Sequence, residues 1–179
     1  MKLMPLTARL LIGGLFIGHG TQKLKGWFGG YGIEGTAGFM ESLGMHPGRR
    51  NAIAAGVTET ASGELLVLGL GTPLAAAGIT GTMVTAVRKV HLPNGVWNAD
   101  GGWELNAVLI AAVAMIVEQG PGPVSLDAVL GTERKGAGWA VAALALGAAA
   151  SAASIEAGRR NAPPAAAAAP AAAEAAPVS

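Results

Sequence analysis

Four apolar runs, each close to the length that crosses a bilayer and each closed by glycine, proline or charge, constrain this chain more than anything else. They extend from Leu6 to Leu24, Asn51 to Leu70, Leu74 to Val90 and Trp103 to Val117. Roughly 20 apolar residues rising about 1.5 Å each span the hydrocarbon layer. Backbone in that layer must satisfy its own hydrogen bonds, which selects helices. The expected fold is therefore all-α, a transmembrane four-helix bundle. Composition points the same way, because only 13% of residues are charged against about 25% in soluble domains.

The segments between the runs fit this layout. Gly69 to Pro73 is too short for anything but a turn between adjacent antiparallel helices. Lys25 to Arg50 is a glycine-rich loop whose Trp27, Phe28 and Tyr31 suit the headgroup level. Within it, Thr36 to Leu43 is an amphipathic stretch expected to lie on the membrane surface. A cleaved signal peptide is the rival reading of the first run. No small-x-small site follows it, so an uncleaved span is expected.

A further block, Gly138 to Ile155, is mostly alanine. Alanine contributes little transfer energy, so its insertion is more weakly driven than that of a leucine-rich span. The resulting division is a four-helix membrane domain over 5–131, a fifth transmembrane helix over 136–157 and an Ala/Pro-rich tail over 158–179. The tail has nothing with which to bury a core and is expected to be disordered.

With five spans, Lys23, Lys25, Arg49, Arg50, Arg88, Lys89, Arg159 and Arg160 share one side, 8 of the 12 lysines and arginines. The positive-inside rule makes that side cytoplasmic and puts the N-terminus outside. The net charge of +1 excludes nucleic acid, which requires a clustered basic face. With no cysteine, the chain has no disulfide, no thiol chemistry, no cysteine-held cluster and no covalent haem of the usual kind.

Ionisable groups within the runs are the candidate site, because each is costly in a bilayer unless paired or hydrated. On the first run Arg9, Gly13, Phe16, Gly20 and Lys23 recur at spacings of four, three, four and three, one helical face, with His19 beside it. That stripe predicts a helix–helix contact that buries charge. Gly14 and Gly18 offer a second small-residue pair at contact spacing. The second run supplies Glu59 and Glu64, about 140° apart around a helix and so unable to face one neighbour. Aligning Lys23 with Arg50 sets Arg9 level with Glu64. An Arg9–Glu64 pair is expected, with Glu59 directed to His19, His91 or a cavity. Glu104 joins Lys89, His91, His19 and Lys23 near the cytoplasmic interface. The pocket candidates are thus Arg9, His19, Lys23, Glu59, Glu64, His91 and Glu104. No HxxH or HExxH spacing accompanies the histidines, so no metal is assigned. Structural neutralisation of charge is the competing explanation of the same residues.

With these residues in view, the chain resembles the DoxX family of small bacterial membrane proteins over about residues 5 to 131. The resemblance rests on Arg9, Gly13, Phe16, Gly20 and Lys23-Leu24, followed by Gly26-Trp27-Phe28-Gly29-Gly30. It continues through Glu59-x-x-x-Gly63, Leu65-Leu66, Gly69-Leu70, His91, Asn94-Gly95 and Gly102-Trp103-Glu104 to Gly120-Pro121-Gly122 and Ser125-Leu126-Asp127. It implies a multi-pass protein of the bacterial plasma membrane with an oxidoreductase label. Relatives are linked to thiosulfate:quinone oxidoreductase subunits and, in mycobacteria, to a membrane complex with superoxide dismutase and a thiol-metabolising enzyme. Carried over to this chain, the family-like polar positions are Arg9, Lys23, Glu59, His91 and Glu104, with no assigned catalytic roles. Glu64, the alanine-rich block and the tail depart from the family pattern.

Two functional expectations follow. One is a membrane subunit of a quinone- or sulfur-linked redox system, with a quinone as candidate cofactor. The other is a non-catalytic anchor that recruits soluble redox enzymes. The lipid bilayer is the expected environment in both, and soluble redox enzymes and a second copy of the chain are the candidate partners.

Overall fold

The structure, a computed structural model, describes residues 3–163. Among them are seven α-helices and no strand: α1 (Met4–Lys25), α2 (Gly32–Ser42), α3 (Gly48–Leu68), α4 (Thr72–Ala86), α5 (Glu104–Gln119), α6 (Leu126–Leu130) and α7 (Ala137–Arg160). A π-helical turn, Val87–His91, continues α4. The four apolar runs thus became α1, α3, α4 with its π-turn, and α5. Local chemistry sets the boundaries. Pro5 and Pro73 stand in the first turns of α1 and α4, where a missing N–H costs nothing. Gly26 and Gly69 end α1 and α3 at φ +71° and +62°, left-handed values that favour glycine.

The helices run up and down. The C-terminal ends of α1, α4 and α7 meet the N-terminal ends of α3 and α5 at one end of the bundle. There the His46 N–H donates to the Gly158 carbonyl at 3.3 Å, tying the α2–α3 junction to α7. The 69–71 turn and the segment holding α6 lie at the other end. The loops expected to share a side therefore do. The stretch expected on the membrane surface is α2, which packs on α3 through buried Thr36 and Ala37.

Small residues set the closest approaches. A Cβ added at Gly13 would lie 2.7 Å from the Gly63 carbonyl oxygen, and one at Gly20 2.6 Å from that of Gly56. The α1–α3 contact thus follows the predicted Gly13/Gly20 stripe. Gly14 and Gly18 have nothing within 4 Å, so that pair does not serve packing here. On α7, Ala140, Ala143, Gly147, Ser151 and Gly158 form the buried stripe. A Cβ at Gly147 would come within 2.6 Å of the Ala77 carbonyl oxygen on α4.

The core is apolar, with Ile12, Phe16, Leu66, Ile79, Val113 and Val117 at its centre. So is much of the exterior: Leu11, Leu15, Val57, Leu74, Val108, Met115 and Leu146 are all exposed. Arg9 and Glu59, by contrast, are buried. By length and composition, one described helix, α7, is long and apolar enough to cross a membrane. This reverses the expectation that the alanine-rich block is the weakest span. Its 24-residue helix carries no charge before Glu156, whereas α1 and α3 carry internal charges and α4 and α5 are short. The helix also passes residue 157 and ends at Arg160, so the expected tail starts later than 158. Its residues 164–179 lie outside the described ones.

Candidate functional site

The polar residues of the bundle collect at its two ends, and the two groups differ in kind. At the 69–71 end they form a closed clasp. Arg9, 1% exposed, donates only to backbone carbonyls: Nε to Leu66 (3.0 Å), Nη2 to Val67 (3.0 Å) and Val124 (2.9 Å), and Nη1 to Pro121. Leu66 and Val67 are in the last turn of α3, whose carbonyls have no partner within the helix and carry the negative end of its dipole. The guanidinium caps that end and straps it to the loop after α5. Gly69 is needed twice here. Its φ is left-handed, and a Cβ would lie 2.7 Å from the Arg9 guanidinium carbon.

Asp127 completes the clasp. Its carboxylate accepts from the Gly71 and Thr72 N–H groups at 2.9 and 3.1 Å, and from the Thr72 and Thr132 hydroxyls at 3.0 and 3.1 Å. Burial pushes this carboxyl up, but the bonds from Gly71, Thr72 and Thr132 outweigh it and hold the group below its ordinary value. The first turn of α4 is thereby capped by an acid from α6. Sequence reasoning quoted Asp127 only as part of a motif. The Ser125 N-cap, whose oxygen accepts from the Ala128 N–H, was the available signal of a structured turn.

The expected Arg9–Glu64 pair does not form. Glu64 is exposed and has no hydrogen bond or salt bridge among the described residues, so neither it nor Arg9 belongs to a shared pocket. α1 and α3 pack two to three residues away from the register that aligns the chain ends, and the guanidinium finds its partners on the backbone instead.

At the opposite end the polar residues face open space. A half-open cavity of about 560 Å³ is lined by α1, α2, α3, α4, α5 and α7. Of the seven candidates it gathers His19, Lys23, Glu59 and His91. Glu59, buried among α3 residues, meets the Lys23 ammonium at 2.6 Å. Lys23 also donates to the His19 carbonyl at 3.4 Å. The second Glu59 oxygen meets no donor among the described residues. The His19 Nδ1 shares a 3.0 Å hydrogen bond with the Gln22 side chain. His91 is the last residue of the π-turn, and its Nδ1–H donates to the Gly101 carbonyl at 2.7 Å. Such turns inside helices occur often at functional sites.

Glu104 does not line the cavity. Its carboxylate accepts from the Asn98 N–H at 2.8 Å and closes the loop before α5. The lining residues outside the seven candidates include Lys89, which the sequence had set beside them, and Asn51, Asn106 and Ser151, which it had not singled out. Asn51 is spent on the Met45 and Pro47 carbonyls, and Ser151 accepts from the Thr85 hydroxyl at 2.8 Å. The signal for Ser151 was its place on the small-residue stripe of α7, which is hard to see where nearly every neighbour is alanine.

Most of the wall is apolar, from Phe16, Phe39, Met40, Leu43, Met45 and Leu109. A cavity of this size with few polar groups is what a small molecule with an apolar body and a polar head requires. The charges facing it are two lysines and one glutamate.

Residues 4–92, about half of the chain, match the DoxX family model. The matched range ends before Glu104 and the Gly120-to-Asp127 motifs. No curated protein and no solved structure matches the chain significantly.

Proposed function

The chain belongs to the DoxX family, whose members are membrane-associated, and from that premise we propose that it is a multi-pass plasma-membrane protein whose cavity holds a quinone-type headgroup as the membrane subunit of a redox system. The observation that carries this reading is the cavity itself. A mostly apolar chamber of about 560 Å³ with one partly buried ion pair, Lys23–Glu59, and His91 at its rim matches an oxygen-bearing ring on a hydrocarbon tail.

The exterior supports the membrane placement. Exposed leucine, valine and methionine ring the helices, while Arg9 and Glu59 point inward. Two of the charges within α1 and α3 are met internally, Arg9 by carbonyls and Glu59 by Lys23. With its π-turn, α4 runs from Thr72 to His91, a length of about 30 Å at 1.5 Å per residue.

A second reading has its own support. Lys23 and Glu59 neutralise one another, and the chain has no cysteine, so an anchor that recruits soluble redox enzymes needs no chemistry of its own. Purification in mild detergent, followed by mass spectrometry of lipids and proteins together, separates the two. A stoichiometric quinone supports the cavity reading. Soluble enzymes co-purifying with no bound small molecule would replace it with the anchor.

A further inference from the structure

We infer that the cavity selects the hydroxyl-bearing, reduced head of a quinone couple over its carbonyl-bearing oxidised head, and that the acceptors on His91 and Glu59 make the selection. The inference rests on the quinone reading of the cavity and adds to it which redox form is held and by what.

The argument starts from the Gly101 carbonyl. A carbonyl can only accept, so the 2.7 Å contact from His91 requires the proton on Nδ1. A neutral imidazole has one ring proton, which leaves Nε2 as an acceptor. The tautomer is held from behind as well. Gly101 is fixed at φ +80° with its N–H on the Asn98 carbonyl, and its own carbonyl also accepts from the Asn94 amide at 3.2 Å. His91, a residue of the cavity lining, therefore carries a pre-set acceptor.

Glu59 brings a second one. One of its oxygens is engaged by Lys23 at 2.6 Å and the other meets no donor among the described residues. A carboxylate has no proton to offer, so this position too accepts.

A quinone ring presents two carbonyl oxygens, which are acceptors. Placed against His91 and Glu59 it leaves acceptors facing acceptors in a mostly apolar chamber, and unmet polar groups there are costly. A hydroquinone presents two O–H groups and can donate to both. Sites built to receive a ligand hydroxyl reject the analogue that lacks it more strongly than apolar sites reject a change of size. Lys23 and Lys89 also line the cavity, but an ammonium can donate to the oxygens of either form and so does not discriminate.

The test uses the full chain in detergent, with a decyl-tailed p-benzoquinone and the same molecule reduced to the hydroquinone, at about pH 8, where free imidazole is neutral. Dithionite can keep the ligand reduced, since the chain has no cysteine to perturb. The expected result is hydroquinone binding tighter by about tenfold or more. His91→Phe should erase most of that ratio by weakening the hydroquinone while leaving quinone binding nearly unchanged. Glu59→Gln, which keeps shape but puts an N–H₂ where an acceptor stood, should move the ratio toward the quinone. It provides the deciding ratio if His91→Phe fails to fold. Equal binding of the two forms by the wild type, or a ratio that survives both substitutions, overturns the selection by these two acceptors and leaves the quinone cavity standing. Failure of both ligands to bind overturns the quinone reading and this inference with it.

Discussion

Replacing Arg9 with lysine keeps the charge and most of the length, yet it should be among the most damaging single changes in this chain. The guanidinium makes four hydrogen bonds through three nitrogens to carbonyls on two separate segments, Leu66 and Val67 on one side and Pro121 and Val124 on the other. An ammonium is a point donor and cannot fork across both. If it keeps two of the four, two charged hydrogen bonds are lost at about 1.5–3 kcal/mol each, and the carbonyls left behind are buried. The expected cost is about 3–6 kcal/mol, or on the order of 10 °C in the melting temperature of a domain this size. Thermal melting in detergent measures it. Glu64 lies exposed and apart, so Glu64→Ala should cost under about 0.5 kcal/mol, and the double variant should show the sum of the two single effects. The reasoning collapses if Glu64→Ala restores stability to an Arg9 variant, because that would mean the two side chains meet.

Other consequences can be checked separately. The Asp127 carboxyl is held below its ordinary value in the folded protein. The stability it contributes is thus fully present above the unfolded carboxyl value of about 3.9 and is lost as pH falls through the folded one. Wild type should therefore lose stability below about pH 4, and Asp127→Asn should be weaker at neutral pH and flatter across that acid range in pH-dependent melts. A Cβ at Gly20 would sit 2.1 Å from the Thr60 hydroxyl oxygen and 2.6 Å from the Gly56 carbonyl oxygen. Gly20→Leu should force α1 from α3 at a cost of about 1–3 kcal/mol or more, whereas Gly18→Leu, facing open space, should melt close to wild type. Reporter fusions at Pro47 and Asn94 should both read cytoplasmic and a fusion at Thr72 external, and opposite readings at the first two positions would discard the orientation.

The helices were legible because the apolar runs are long and their ends are written in glycine and proline: Gly26, Gly69 and Pro73 stop or start helices where the sequence implies. The Gly13/Gly20 face was legible for the same reason, since a missing side chain at helical spacing has few uses other than close approach. What could not be read was the partner of Arg9. A charge-matching argument looks for a carboxylate, and the sequence offers Glu64 at a similar depth. The actual partners are main-chain oxygens, which every residue has and no letter distinguishes. Glu104 misled in a related way, since an acid at a helix start suits a loop N–H as well as a pocket. Lys23 and Glu59 stood out because ionisable residues on apolar runs are conspicuous, but their pairing was not legible, since the same register argument that set Arg9 against Glu64 directed Glu59 to His19, His91 or a cavity. Lys89 was set beside His91 and Glu104 but left out of the pocket candidates, because a basic residue at a helix end is ordinarily solvated; it lies in the π-turn and lines the cavity.

The asymmetry between the two ends has a mechanical consequence. Arg9 and Asp127 bind α1, α3, α4 and the segments around α6 into one closed knot, while the other end holds a cavity crossed by few ties, among them the Lys23–Glu59 pair and the His46–Gly158 hydrogen bond. Helices fixed at one end move like tongs, with displacement growing along their length. A tilt of about 3° at the knot, carried along a helix of about 30 Å, shifts the far wall by roughly 1.5 Å, enough to admit or release a flat ring. Amide exchange should accordingly be slowest around Leu66, Thr72 and Asp127 and rise steadily toward Lys23, Lys89 and Ser154, so that the rigidity of one end sets the direction in which the other can breathe.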